Sequence, residues 1–213
     1  MEYGRSLQKI GVFGGTFDPF HNGHLAMAKE AVRELSLDRL LVIPAGNPYL
    51  KGRISPYGIR FEMADAALRT LSDPRYEISD LEADEEKPTY TYLTLQKLHK
   101  EYPESRLFFI CGRDVFNGIR NWRSPDRILK EAALAVFRRE GSGKEGLPPE
   151  EDLKKEAEGL KEIFEGASCV FLDSVIPPVS STMIRDMISG GKDISGLVPE
   201  GVERIIRKKG LYR

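Results

Sequence analysis

Histidine is scarce in this chain, with three among 213 residues, and two of them stand close together at His21 and His24. A neutral imidazole donates a hydrogen bond from one ring nitrogen and accepts at the other. Two of them at helical spacing can present donors on one side of a helix start. There, free backbone N–H groups and the positive end of the helix dipole already favour an anion. The residues just before the pair point the same way. Gly14 and Gly15 fall where the apolar run Lys9 to Phe13 should end, and Thr16 and Phe17 follow. Glycine at such a place lets the backbone approach a ligand closely and adopt angles barred to other residues. Asp18-Pro19 reads as a turn and Asn22 as the N-cap of the helix. The competing readings are a metal site and a plain helix start with exposed histidines. No HExxH spacing supplies further metal ligands, so no protein-held metal is expected. Neither G-K-[ST] nor G-x-G-x-x-G accompanies the glycines, which sets aside the P-loop and the dinucleotide fingerprint. Phosphate is the ligand these residues suit.

A second cluster lies far away in sequence. Ser180, Ser181 and Thr182 open another helix-period run, and their hydroxyls and amides would face an anion. Arg185 follows one turn later and can fork onto phosphate oxygens. No Ser-His-Asp or Cys-His arrangement accompanies them. An ordinary capped helix with an exposed arginine is the competing reading of these residues on their own.

The elements that must carry these residues alternate. Strand candidates are Lys9 to Phe13, Arg39 to Ile43, Tyr76 to Leu81, Leu107 to Cys111, Ala133 to Phe137 and Ser168 to Leu172. Helix-period runs cover Leu25 to Leu35, Arg60 to Leu71, Tyr92 to Lys100 and Pro125 to Lys130. This order predicts an α/β fold, a Rossmann-like doubly wound parallel sheet with helices on both faces. A C-terminal helical part spans 180–213, and the whole chain, 1–213, is expected to form a single domain. Residues 141–165 change character: Gly141 to Pro149 reads as a loop, and Glu150 to Glu165 is dense in Glu and Lys. Leu153, Ala157, Leu160 and Phe164 nevertheless recur at helical spacing, so an amphipathic surface helix is expected there. In such sheets ligands bind at the carboxyl ends of the strands, where the first glycines fall.

Composition narrows the classes. A formal net charge of -1 offers no basic field for nucleic acid or an anionic membrane. The apolar runs are far too short to span a bilayer, and the first residues lack a secretory core. Cys111 and Cys169 sit inside apolar strand-like runs, as buried free thiols in a cytoplasmic setting would.

The run G-G-T-F-D-P-F-H-N-G-H resembles the first motif of the nucleotidyltransferase superfamily with the [HT]-x-G-H signature. Members move AMP or CMP from a triphosphate to a phosphorylated acceptor. V-S-S-T-M-I-R, from Val179 to Arg185, is similar to that superfamily's distal I-S-S-T-x-I-R. Four further stretches resemble the nicotinate mononucleotide adenylyltransferase branch; one, V-P-E-G-V-E-R-I-I-R-K-K-G-L-Y from Val198 to Tyr212, is similar to its closing helix. Lys51 ends a run similar to P-P-H-K, with Leu50 where histidine is usual. P-T-Y-T-Y-L-T-L, holding Thr91, resembles P-S-Y-T-x-D-T-L, with Leu93 in place of Asp. I-C-G-R-D followed by N-W-R resembles G-x-D…W and supplies Gly112, Asp114 and Trp122. The resemblance runs from Lys9 to Tyr212, apart from Gly141 to Glu165.

That resemblance implies adenylyl transfer from ATP to nicotinate mononucleotide, giving nicotinate adenine dinucleotide and pyrophosphate in NAD biosynthesis. His21 and His24 would take the α- and β-phosphates, and Arg185 with Ser181 the β- and γ-phosphates. Gly14, Gly15, Thr16, Phe17, Gly112, Asp114, Ser180 and Thr182 would complete the ATP side. Lys51, Thr91 and Trp122 would face the acceptor, with the indole on the pyridine ring. Backbone amides around Trp122 and Arg123 would meet the nicotinate carboxylate. Mg²⁺ would ride on the triphosphate. Alternatives are nicotinamide mononucleotide or phosphopantetheine as acceptor, a non-catalytic nucleotide sensor on the same fold, and a metal-dependent hydrolase. ATP and nicotinate mononucleotide are the expected partners, without nucleic acid or membrane; the oligomeric state stays open, a homo-oligomer included.

Overall fold

The sheet is built from β1 (Gln8–Gly15), β2 (Arg39–Pro44), β3 (Tyr76–Ile78), β4 (Ser105–Gly112), β5 (Ala133–Phe137) and β6 (Cys169–Leu172). A computed structural model describes residues 7–48, 54–137 and 150–213. All neighbouring strands pair in parallel, in the order β3-β2-β1-β4-β5-β6. Val12 sits level with Leu41 on one side and Phe109 on the other. The chain therefore winds outward in two directions from the β1–β4 pair. That pair is the switch point of the sheet, where the loops after the two strands part and leave a crevice.

The inner stretches of the central strands are apolar because both faces are covered; Lys9, Arg39 and Arg106 stand near strand starts and Glu77 on the edge strand β3. Side chains alternate across the sheet. Phe13, Phe108, Ile110 and Ala135 face one side, against α1 (Asn22–Leu35), α2 (Tyr57–Leu68), α7 (Ser181–Ser189) and α8 (Glu200–Lys209). Val12, Phe109, Cys111 and Val136 face the other, against α3 (Thr91–Glu101), α5 (Pro125–Glu131) and α6 (Glu150–Ile163). The expected doubly wound fold is present, and α6 buries Leu153, Ala157 and Leu160 as its spacing predicts. Both cysteines are free, Cys111 buried and Cys169 partly so.

Three expectations are corrected. The third strand stops at Ile78 instead of reaching Leu81, because the chain turns away there; Ala83 N–H donates to Asp80 O at 2.8 Å. The helix anticipated at Arg60 begins at Tyr57, directly after Pro56, which fixes its entry. A short helix, α4 (Arg113–Gly118), follows β4 where none was expected. The Gly141–Pro149 loop lies outside the described residues.

Candidate active site

The end of β1 and the start of α1 form one unit. His21, not Asn22, is the N-cap: its Nδ1 accepts from His24 N–H at 3.2 Å, and His24 Nδ1 accepts from His21 N–H at 3.3 Å. The two rings stack, with centroids 3.6 Å apart and planes 18° apart. This arrangement selects a tautomer. With each Nδ1 accepting, the proton of each neutral ring resides on Nε2, so each imidazole has one ring N–H as a donor, His21 buried and His24 half-buried. Asn22 takes a different task, its N–H donating to Leu197 O and its Nδ2 to Gly196 O, at 2.9 and 2.8 Å.

The loop between is held in an unusual shape. The unusual backbone angle expected of Gly14 or Gly15 falls on Phe17 instead, at φ 52. A non-glycine residue persists there only when its surroundings over-determine it. The Phe17 ring is wedged among Phe13, Phe20 and His24, with centroid distances of 5.4, 5.1 and 5.0 Å. Gly15 is required by that packing, since a Cβ there would come within 2.7 Å of the Phe17 ring. Gly14 faces the other side, where a Cβ would meet only Phe109 at 3.8 Å.

The distal cluster folds onto this loop. Ser180 caps α7 by accepting from Met183 N–H at 3.2 Å. Ser181 Oγ donates to Pro19 O at 3.0 Å, and Arg185 Nη1 donates to Asp18 O at 2.8 Å. A second Arg185 nitrogen donates to Thr182 Oγ1 at 3.2 Å. The histidines, Ser180, Ser181, Thr182 and Arg185 thus belong to one neighbourhood, as their sequence patterns anticipated.

On the other side of β1 opens a cleft of about 350 Å³, lined along its base by Val12, Gly14, Gly15, Thr16 and Phe109. Its walls include Thr91 and Trp122, both anticipated, Arg123, anticipated only for its backbone amide, and also Glu82 and Tyr90, which were not. Trp122 packs edge-on against Phe109 with centroids 6.1 Å apart, leaving part of the indole on the cleft. Arg123 lies over the Tyr90 ring, 4.6 Å from its centroid, and its Nη1 donates to Tyr90 Oη at 3.0 Å. Glu82 accepts from Thr94 Oγ1, and burial pushes its carboxyl above the ordinary carboxylate value, against the pull of the Thr94 and Thr89 hydroxyls.

Other anticipated residues fall elsewhere. Gly112 caps α4 and Asp114 is exposed in its first turn, at the carboxyl end of β4 but outside the cleft lining. The amide of Trp122 is already spent on Ile119 O at 3.0 Å, so it is not the carboxylate donor anticipated for it. Leu93 is 42% exposed on α3 and does not line the cleft, so its departure from the usual Asp leaves the cleft unchanged. Leu50 and Lys51 lie outside the described residues.

A doubly wound sheet with paired imidazoles beside its switch point agrees with the nucleotidyltransferase class that the sequence motifs implied. The chain belongs to the cytidylyltransferase-like family, whose sequence model matches residues 12–187. Its relatives narrow that class. It is 39% identical to a Clostridium tetani protein named "Probable nicotinate-nucleotide adenylyltransferase", over 97% of this chain and 100% of that one. A Leifsonia xyli protein of the same name is 36% identical, over 98% of this chain and 96% of that one. The solved Plasmodium falciparum nicotinic acid mononucleotide adenylyltransferase complexed with NaAD shares the fold at 19% identity, with a TM-score of 0.78, covering 96% of this chain and 97% of the other. Among the described residues, no helix is long and apolar enough to cross a membrane.

Proposed function

We propose that this chain transfers the adenylyl group of ATP to nicotinate mononucleotide, forming nicotinate adenine dinucleotide and pyrophosphate for NAD biosynthesis. One observation carries the reading: the two imidazoles, each with Nδ1 accepting, cap the helix that follows the strand end Gly14 to Thr16, and the cleft opens over that same strand end. A donor pair and a ligand cleft at one strand end suit a transfer between two phosphorylated ligands.

In this reading the acceptor's phosphate enters along the cleft and attacks the α-phosphorus of ATP, and the bond to the β-phosphate oxygen breaks. With a second pKa of about 6, that phosphate is already ionised at neutral pH, so no protein base is needed. His21 and His24 donate to oxygens that gain charge as the phosphorus becomes five-coordinate. Arg185, Ser181 and the helix start of Ser180 and Thr182 receive the leaving pyrophosphate. Thr16 and Phe17 act through their backbone, and Gly14 and Gly15 admit the phosphates. Gly112 and Asp114 border the nucleoside side, and Lys51 is assigned to the acceptor phosphate.

The pyridine ring lies against Trp122 and near Thr91, and Arg123 supplies the positive charge that a nicotinate carboxylate selects. The Tyr90 ring and hydroxyl hold that guanidinium at the cleft. This cation favours nicotinate over nicotinamide as the acceptor's base. Mg²⁺ accompanies ATP. Asp18, the carboxylate of the phosphate loop, has both oxygens committed to protein donors, and the remaining groups there are donors. That set suits a cation held by triphosphate oxygens and water, and when bound it neutralises charge on the leaving group. The chain is further proposed to work as one nucleotidyltransferase domain in the cytoplasm. Mass spectrometry of a mixture with ATP and nicotinate mononucleotide tests the reading: the dinucleotide should form, and its absence would defeat it.

A further inference from the structure

Asp18 is 3% exposed and lies in the middle of the phosphate loop, yet its carboxylate faces the protein, not the ligand side. Oδ1 accepts from Tyr212 Oη at 2.6 Å, and Oδ2 accepts from Ser55 N–H at 3.1 Å. Ser55 Oγ in turn donates to Tyr212 Oη at 3.4 Å. Below them Arg60, fully buried on α2, donates to the carbonyls of Thr16, Ala45, Gly46 and Ser55 at 2.6 to 3.0 Å. Thr16 and Ala45 are also walls of the cleft. From the far side, Arg185 holds Asp18 O and Ser181 holds Pro19 O.

We propose that Tyr212 is a positioning residue for adenylyl transfer: its hydroxyl latches the Asp18 turn, so that the Phe17 backbone and the Arg185 guanidinium keep their places. The link spans 194 positions of sequence and joins the segment after α8 to the first motif. Tyr212 is itself held in the left-handed region, at φ 66, two residues beyond the Gly210 cap of α8. A strained Phe17 two bonds from Asp18's own backbone needs such restraint, because positive φ relaxes when its surroundings loosen. Burial keeps the Tyr212 hydroxyl protonated and able to donate, and its bond to Asp18 acts in the same direction. The latch touches no reacting atom; it acts through Asp18.

The kinetic arm of the test rests on the adenylyl-transfer reading, and the exchange arm does not. Tyr212→Phe keeps the ring and deletes the hydroxyl. Its turnover for pyrophosphate release should fall about 10- to 100-fold, the scale of a sub-ångström to 1 Å misplacement. The Michaelis constant for the acceptor should stay within about twofold, since the cleft walls are intact. Asp18→Asn should give a similar loss, and Tyr212→Phe/Asp18→Asn no more than the larger single loss, because both remove one link. Amide exchange at Thr16, Phe17, Asp18, Phe20 and Ser55 should quicken in Tyr212→Phe while β1 and β4 stay protected. Equal acceleration across the sheet, additive losses in the double variant, or unchanged exchange in the loop would overturn the latch. Were the native chain inactive with nicotinate mononucleotide, the functional reading would fall, and loop exchange would still decide the latch.

Discussion

Gly14 and Gly15 are neighbours in β1 that make opposite demands, and a pair of alanine substitutions exposes the difference. At Gly15 a Cβ would stand 2.7 and 2.8 Å from two atoms of the Phe17 ring. Carbon atoms pack at about 3.5 to 4.0 Å, so the ring must retreat by roughly 0.8 Å or more. It has nowhere to go, since Phe17 is 2% exposed and packed against Phe13, Phe20 and His24. Overpacking of this kind costs about 1 to 3 kcal/mol, which lowers the midpoint of unfolding by about 2 to 12 °C in a domain of this size. The displaced ring also pushes His24, and misplacing a donor by that much should reduce turnover about 10²-fold. At Gly14 the same methyl meets only Phe109 at 3.8 Å. Its φ lies outside the left-handed region, so stability should hold or rise by about 0.4 to 1 kcal/mol. The methyl instead projects into the cleft floor, and binding of nucleotide should suffer. Scanning calorimetry and a pyrophosphate-release assay on both variants decide it. Equal destabilisation by the two alanines, or native turnover in Gly15→Ala, would refute the reasoning.

Four further outcomes are expected. His24→Ala should lower turnover roughly 10²- to 10³-fold and stability by about 1 kcal/mol, because the His21 N–H loses its cap acceptor; native turnover would remove His24 from the mechanism. Arg185→Lys should raise the Michaelis constant for ATP with little change for the acceptor, since lysine lacks the bidentate fork; equal changes in both would make Arg185 structural. Arg123→Ala should cut the preference for nicotinate over nicotinamide mononucleotide by roughly tenfold, read from the ratio of kcat/KM values, and an unchanged ratio would clear it of that role. Glu82, raised above the ordinary 4.5 by burial, binds its proton more tightly folded than unfolded, so ionising it costs stability as pH rises through the raised value. Glu82→Gln should therefore gain stability relative to the native chain above that ordinary value and show no such gain below it. Thermal unfolding at acidic and neutral pH reads the difference, and a gain independent of pH would refute it.

The central strands were legible because a strand buried on both faces writes an unbroken apolar run, as in Leu107 to Cys111. Where that condition lapses, legibility lapses too. Residues 79–81 continue the pattern of β3 in sequence, but they lie past the end of the strand and lead into the turn that holds Glu82. The α4 helix is six residues long, too short to display a helical period. Histidine is not among the usual capping residues, so the mutual cap of His21 and His24 was hidden although both residues stood out. The phosphate end was readable because its groups are concentrated in two short motifs. Glu82 and Tyr90 come to the cleft from the connection between β3 and α3, and Arg123 from the turn before α5, so only the tertiary fold brings them together. Arg60 looks in sequence like one more helix residue, and Tyr212 like the end of the closing run; their roles depend on partners far away in the chain.

The most direct measurement is pyrophosphate release from ATP with nicotinate mononucleotide, nicotinamide mononucleotide and phosphopantetheine supplied separately as acceptors. Nicotinate mononucleotide should give the highest kcat/KM, exceeding nicotinamide mononucleotide at least about tenfold, with phosphopantetheine inert. Binding of ATP without pyrophosphate release under any acceptor, or a preference for phosphopantetheine, would contradict the assignment.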